Sequence, residues 1–172
     1  MFIDREQELA ELERRYRSDR AELLVVYGRR RVGKTELLRA FCDGKPNVFF
    51  VATLGVDADQ LAQFSQAVWS FSRGTAPVGF TFPSWEAALE ELAGLAGRPV
   101  VVIDEFTYLV GANPALPSML QKVWDTTLAR SSAVLVLCGS TIGLVEREVL
   151  GYQAPLYGRR TGGFLLQPLD LQ

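Results

Sequence analysis

Histidine is absent from this chain of 172 residues, and cysteine occurs only twice, at Cys42 and Cys138. Without an imidazole, Ser-His-Asp and Cys-His nucleophilic schemes are excluded, and two isolated thiols leave a structural zinc site without its ligand set. Each cysteine stands beside apolar residues and reads as a reduced, buried thiol that acts as a small hydrophobe. No apolar run approaches the ~20 residues that a membrane-crossing helix needs. The charged start, Met1 to Glu8, is unlike a signal peptide, so the expected compartment is the cytoplasm. A basic excess is missing too. With 18 Lys and Arg against 20 Asp and Glu, the net charge is −2, and this segment lacks the footprint of a nucleic-acid binder. Any chemistry must therefore use lysine, arginine, carboxylates and a bound metal. The rest is ordinary for a globular protein, with 48% hydrophobic and 22% charged residues. The length suits one domain with a real core and is short for two.

What is present begins with Gly28-Arg29-Arg30-Arg31-Val32-Gly33-Lys34-Thr35, which fits the phosphate-loop pattern G-x-x-x-x-G-K-[ST] at every fixed position. The pattern is short, so its weight depends on a buried strand before it and a helix after it. Leu23 to Tyr27 is an apolar, partly β-branched run, and Glu36 to Phe41 continues with good helix formers. In that setting the backbone N–H groups of residues 28–36 face the β- and γ-phosphates, where the helix dipole also favours negative charge. Gly28 and Gly33 let the chain wrap closely. Lys34 is expected to neutralise the β/γ oxygens, and the Thr35 hydroxyl to ligate Mg²⁺. Arg29, Arg30 and Arg31 fill the variable positions. They read either as solvated side chains or as a contact to a neighbouring subunit or acidic partner.

A second motif follows from Val100-Val101-Val102-Ile103, an apolar run suited to a central parallel strand, which ends in Asp104-Glu105. Carboxylates at the end of such a strand sit on the rim where open α/β sheets bind ligands. Asp104 is the candidate to hold Mg²⁺ through its water shell, and Glu105 the candidate to orient and deprotonate an attacking water. A third rim position is Ser140-Thr141, after the apolar run Ala133 to Cys138. Their hydroxyls reach a γ-phosphate only if that strand lies beside the phosphate-loop strand; otherwise they are ordinary strand-end caps.

Between these motifs, strands and helices alternate. Asp4 and Gln7 form a potential capping box ahead of Leu9, Leu12 and Tyr16 on one helical face. Val48 to Val51 reads as strand two, and Leu61, Phe64, Val68 and Phe71 mark a helix ending near Gly74. Ser84 can cap a helix with Trp85, Ala88, Leu89, Leu92 and Leu95 on its apolar face. A further helix follows Pro117-Ser118, carrying Met119, Leu120, Val123, Trp124 and Leu128. Phe164-Leu165-Leu166 is the fifth strand, four residues short of Asp170. This order predicts one layered α/β domain spanning residues 1–172, with a mostly parallel sheet and right-handed crossovers.

The set Phe2 to Glu6, Gly28 to Thr35, Val102 to Phe106, Leu137 to Thr141 and Pro155 to Thr161 resembles the archaeal-type ATPase family, a prokaryotic branch of the AAA+/STAND P-loop ATPases. The resemblance implies a three-layer P-loop NTPase fold, with a five-stranded sheet of order 5-1-4-3-2 and helices on both faces. It makes Ser140 the sensor-1 position, with Gly-Ser-Thr where relatives often carry Gly-Ser-Ser. Arg159 and Arg160 become candidate arginine fingers, acting in trans on ATP bound to an adjacent subunit of a homo-oligomer. A simpler reading caps helix carbonyls with this pair or bridges it to Glu146 or Glu148. Family members continue into a helical lid and further domains, through which nucleic acid could be engaged, so the chain is expected to be an excised or minimal ATPase core.

The implied activity is Mg²⁺-dependent hydrolysis of ATP to ADP, coupled to conformation or assembly. Two alternatives stay open: a nucleotide-gated binding module with little turnover, and a small-molecule kinase, against which Glu105 directly after Asp104 suits water activation.

Overall fold

Strands form where β-branched and aromatic residues cluster between polar turns. In the computed structural model, which describes residues 5–169, they are β1 (Glu22–Gly28), β2 (Asn47–Val51), β3 (Val100–Asp104), β4 (Val134–Gly139) and β5 (Gly162–Leu166). All pair in parallel, in the order β2-β3-β4-β1-β5. This is the expected order read from the other edge. Every residue of β3 and β4 is buried, as strands covered on both faces must be.

The helices are α1 (Glu6–Tyr16), α2 (Lys34–Cys42), α3 (Asp57–Arg73), α4 (Trp85–Glu91), α5 (Phe106–Ala112), α6 (Leu116–Thr126) and α7 (Ile142–Val145), the last running into a π-helical turn at Glu146–Leu150. The two-residue period of the strands sends alternate side chains to opposite layers. On one face Leu24, Val26, Val102 and Val136 meet Leu12 of α1 and Leu37, Leu38 and Phe41 of α2. On the other, Leu23, Val25, Val101 and Leu135 meet Phe64, Leu89, Leu109, Leu120 and Val145 of α3 to α7. Truncating any of these leucines to alanine costs about 2–5 kcal/mol in cores of this kind.

Element ends depart locally from expectation. Helix α6 starts at Leu116, with Pro117 inside its first turn, where a missing N–H costs nothing. Leu92 and Leu128 leave their helices for single 3₁₀ turns yet stay buried. Strand β5 starts two residues early, at Gly162 and Gly163, and α5 is a further helix that no periodicity in the sequence announces. Ser84 caps α4 as expected, accepting a bond from the Ala87 N–H at 3.1 Å. The Asp4–Gln7 capping pair involves Asp4 and, like Asp170, lies outside the described residues. Among the described residues no helix is long and apolar enough to cross a membrane.

Strand β1 ends where β5 crowds it. A Cβ built on Gly28 would stand 2.6 Å from the Leu166 carbonyl oxygen and 3.2 Å from Val32 Cγ2. The first of these is backbone and cannot swing away. Gly28→Ala is therefore expected to push β1 and β5 apart and destabilise the fold by about 1–3 kcal/mol. Thermal denaturation checks this, since an unchanged melting temperature would mean that the two strands yield freely.

Candidate active site

Beyond Gly28 the chain turns back on itself before entering α2. Arg31 (φ 66°) and Gly33 (φ 99°) both adopt left-handed backbone, so Val32 is held between two reversals. Gly33 occupies the N-cap of α2, where the missing Cβ removes the penalty of that conformation. The first N–H groups of α2 have no partner within the helix and, with those of the loop, form an anion-binding concavity. Lys34 is only 6% exposed, and its Nζ donates to the Arg29 carbonyl at 2.7 Å. The ammonium is thus folded over the loop instead of reaching into solvent.

The acidic pair enters from β3, brought within reach because β4 separates β3 from β1 by one strand. Thr35 Oγ1 donates to Asp104 Oδ2 at 2.9 Å, and the Glu105 N–H donates to Asp104 Oδ1 at 2.9 Å. Both carboxylate oxygens of buried Asp104 are thereby engaged. Glu105 is the N-cap of α5 in left-handed backbone (φ 55°, ψ 42°), which costs a non-glycine residue roughly 1–2 kcal/mol. Strain of that kind is sustained only where surroundings fix it. Here Ser140, at the end of β4, donates from Oγ to Glu105 Oε2 at 3.1 Å. Thr35, Asp104, Glu105 and Ser140 form one connected chain across two strand ends, those of β3 and β4, and two helix starts, those of α2 and α5.

A cleft of about 230 Å³ opens beside them, lined by Arg30, Arg31, Gly33, Lys34, Thr35, Glu36 and Glu105. Arg29, Arg30, Arg31 and Glu36 are exposed, and Val32 is half-buried. Arg30 Nη2 donates to the Tyr108 hydroxyl at 3.1 Å, so one of the three loop arginines is tied to α5. Below the acidic pair, burial pushes the Cys138 thiol far up, with the Asp104 charge adding to the effect. Cys42 is likewise raised by burial, to about 11. Both are reduced and unpaired, as expected, and neither is a nucleophile near neutrality. A second cleft, about 250 Å³ behind α2, has its cations occupied: Arg39 stacks on Phe49 at 4.2 Å and Lys45 pairs with Glu13 at 2.6 Å.

Two sequence-derived candidates lie elsewhere. Strand β5 starts opposite Leu24 and ends opposite Gly28, so Arg159 and Arg160, just before it, sit at the end of the sheet away from the phosphate loop. Arg159 bonds to Asp125 through Nε–Oδ1 at 3.2 Å and Nη2–Oδ2 at 3.0 Å. Its partner is therefore Asp125, at the end of α6, in place of Glu146 or Glu148; Glu148 pairs with Arg147 at 3.3 Å. Arg160 is exposed and lies over Gly163, where a Cβ would meet its Nη1 at 2.7 Å.

Tyr108 and Arg5 are the residues at the site that motif reading missed. Tyr108 stands three positions past Glu105 on α5, an element not foreseen. Arg5 is 5% exposed and donates to the Val32 carbonyl at 2.8 Å. It stands in the Phe2 to Glu6 stretch that carries the family resemblance, with no site role read for it there.

Similarity to known proteins covers the whole of this arrangement. The chain is 34% identical over 172 residues to an uncharacterized protein of Methanocaldococcus jannaschii, matching 100% of this chain and 37% of that protein. An uncharacterized ATP-binding protein of the same organism is 49% identical over 45 residues, covering 26% of this chain and 76% of that one. Among solved structures, the Walker-type ATPase of Pyrococcus abyssi superposes with a TM-score of 0.67 at 26% identity, over 98% of this chain and 55% of that one. Cdc6p of Pyrobaculum aerophilum shares the fold, with a TM-score of 0.64 at 17% identity over 98% and 46%. The chain thus spans about a third to a half of its full-length relatives. The sequence pattern of one family runs through residues 2–172. With the parallel P-loop sheet and the loop, acidic pair and strand-end serine in their expected order, the chain belongs to the family of ATPase domains found predominantly in Archaea.

Proposed function

We propose that this domain binds Mg-ATP in the cleft between the phosphate loop and Glu105 and hydrolyses it to ADP and phosphate, coupling nucleotide state to conformation or assembly. The observation that carries the reading is the hydrogen-bonded chain Thr35–Asp104–Glu105–Ser140 beside a buried lysine. The Thr35 hydroxyl and Asp104 carboxylate present hard oxygens 2.9 Å apart. Among the described residues no third carboxylate, histidine or cysteine joins them as a metal cage. That sparse set fits Mg²⁺, which keeps waters and phosphate oxygens as its other ligands. When bound, the ion neutralises charge on the β- and γ-oxygens. The protein supplies the rest: loop N–H groups and Lys34 hold the phosphates, and Glu105 accepts a proton from water. Ser140 keeps one Glu105 oxygen in place, leaving the other for that water.

A second reading takes the Ser140–Glu105 bond as holding the carboxylate off the attacking water, so that turnover is slow and the domain acts mainly as a nucleotide-gated module. Phosphate release without any added acceptor supports hydrolysis over both that reading and a kinase. The site assignment is tested by Lys34→Ala. Removing a charge-assisted bond of about 1.5–3 kcal/mol is expected to weaken ATP binding roughly 10- to 100-fold in calorimetry, with the circular dichroism spectrum preserved. Undiminished affinity would overturn it.

A further inference from the structure

We infer that Arg5 is a positioning residue of the phosphate loop: its guanidinium orients the Gly33 N–H toward the cleft by holding the Val32 carbonyl, and ties the loop to the chain leaving β5. This rests on the nucleotide-site reading above.

Arg5 precedes α1 and is nearly sealed from solvent. A buried guanidinium is costly unless its donors are met. Three segments bond to its two terminal nitrogens, while Nε has no partner among the described residues. Nη2 donates to the Val32 carbonyl at 2.8 Å and to the Gln167 carbonyl at 2.6 Å, while Nη1 donates to Glu8 Oε1 at 3.2 Å. The peptide between Val32 and Gly33 is planar and trans, so its C=O and N–H point in opposite directions. Drawing the carbonyl toward Arg5 turns the N–H away from Arg5. Gly33 lines the cleft, and its left-handed backbone is compatible with that orientation. An ionised donor on the carbonyl also polarises the peptide, which strengthens the N–H on its other side. A lysine in this place would keep the charge and lose the rigid planar fork that serves several acceptors at once.

The second carbonyl gives the brace a reach beyond the loop. Gln167 directly follows Leu166, whose own carbonyl crowds Gly28 at the loop's other end. One side chain therefore couples where the chain goes after β5 to how the loop presents its donors.

A structural tie alone would lower stability without touching the cleft. Arg98 provides the comparison, since it donates to the carbonyls of Tyr16 at 2.9 Å and Ser132 at 2.6 Å, both remote from the phosphate loop. Three variants, Arg5→Gln, Arg5→Lys and Arg98→Ala, are compared with the parent for melting temperature, ATPγS affinity and hydrogen exchange at the Gly33 amide without nucleotide. Both Arg5 variants are expected to bind ATPγS about tenfold more weakly or worse, and to exchange the Gly33 amide faster. Arg98→Ala is expected to lower the melting temperature while keeping parent affinity and parent exchange at Gly33. Should Arg5→Gln fail to fold, Arg5→Lys carries the comparison. Parent-like affinity and exchange in Arg5→Lys would overturn the inference. A parent that does not bind ATPγS would sink the nucleotide reading instead, and the Gly33 exchange comparison would still decide the brace.

Discussion

Glu105→Gln is expected to bind Mg-ATP like the parent and to lose steady-state phosphate release by ~10²-fold or more, because it removes a positioned base while keeping its shape. The amide still accepts the Ser140 hydroxyl through its oxygen, so the bonded chain and the left-handed turn at Glu105 survive. What it cannot do is take a proton from water. Asp104→Asn separates from it in kind. One Asp104 oxygen accepts from the Thr35 hydroxyl and the other from the Glu105 N–H, so an NH₂ group at the second position sets a donor against a donor, and one at the first makes the Thr35 hydroxyl turn from donor to acceptor. That variant should weaken the Mg²⁺ dependence of binding as well as turnover. Equal phosphate release by Glu105→Gln and the parent would assign water activation to another group.

Arg160→Ala is expected to abolish a concentration-dependent rise in turnover, worth ~10³-fold at saturation, without weakening ATP binding. The two arginines divide here. Arg159 is held by Asp125 of its own chain through paired bonds, whereas Arg160 is exposed and lies over Gly163. Five residues of β5, or roughly 16 Å of strand, lie between this loop and the level of Gly28. That span sets the loop apart from its own chain's phosphate loop, which is why the proposed action of Arg160 is on a neighbouring chain. Mixing Arg160→Ala with Lys34→Ala should restore activity, because one chain then supplies an intact nucleotide site and the other an intact arginine. Turnover independent of concentration and unrescued by mixing would limit the pair to a structural role.

Residues whose chemistry is written in contiguous sequence were legible in advance. Gly28 to Thr35 and Asp104-Glu105 carry their own context, a buried strand on one side and a turn on the other. Ser140 was legible conditionally, since its place beside the phosphate loop depends on β4 pairing with β1, while its bond to Glu105 was not foreseen. Arg5 was not legible as a site residue. It bonds to Gln167, 162 positions away, and no window of sequence contains both ends of that contact. Tyr108 was hidden for a different reason. Helix α5 is seven residues long, with Gly111 inside it, too short and too weak in propensity to announce itself; packing of Phe106, Leu109 and Val110 makes it a helix. The same balance explains Leu92 and Leu128, where burial was read correctly while the backbone type was not.

The pairing of β1 with β5 also sets a timetable for biosynthesis. The phosphate loop at residues 28–35 is synthesised long before β5, yet one of its flanks is that last strand of the sheet, and Gly28 meets its neighbour only when Leu166 has emerged. Parallel pairing over such separations is slow, because the intervening chain must be closed before the contacts form. A nascent chain that has completed β4 can assemble β2, β3 and β4 beside β1 and still lack both the β5 wall and the Gln167 carbonyl that Arg5 reaches. The phosphate loop, made well before β5, is thus among the last parts of the domain to complete its contacts on the ribosome.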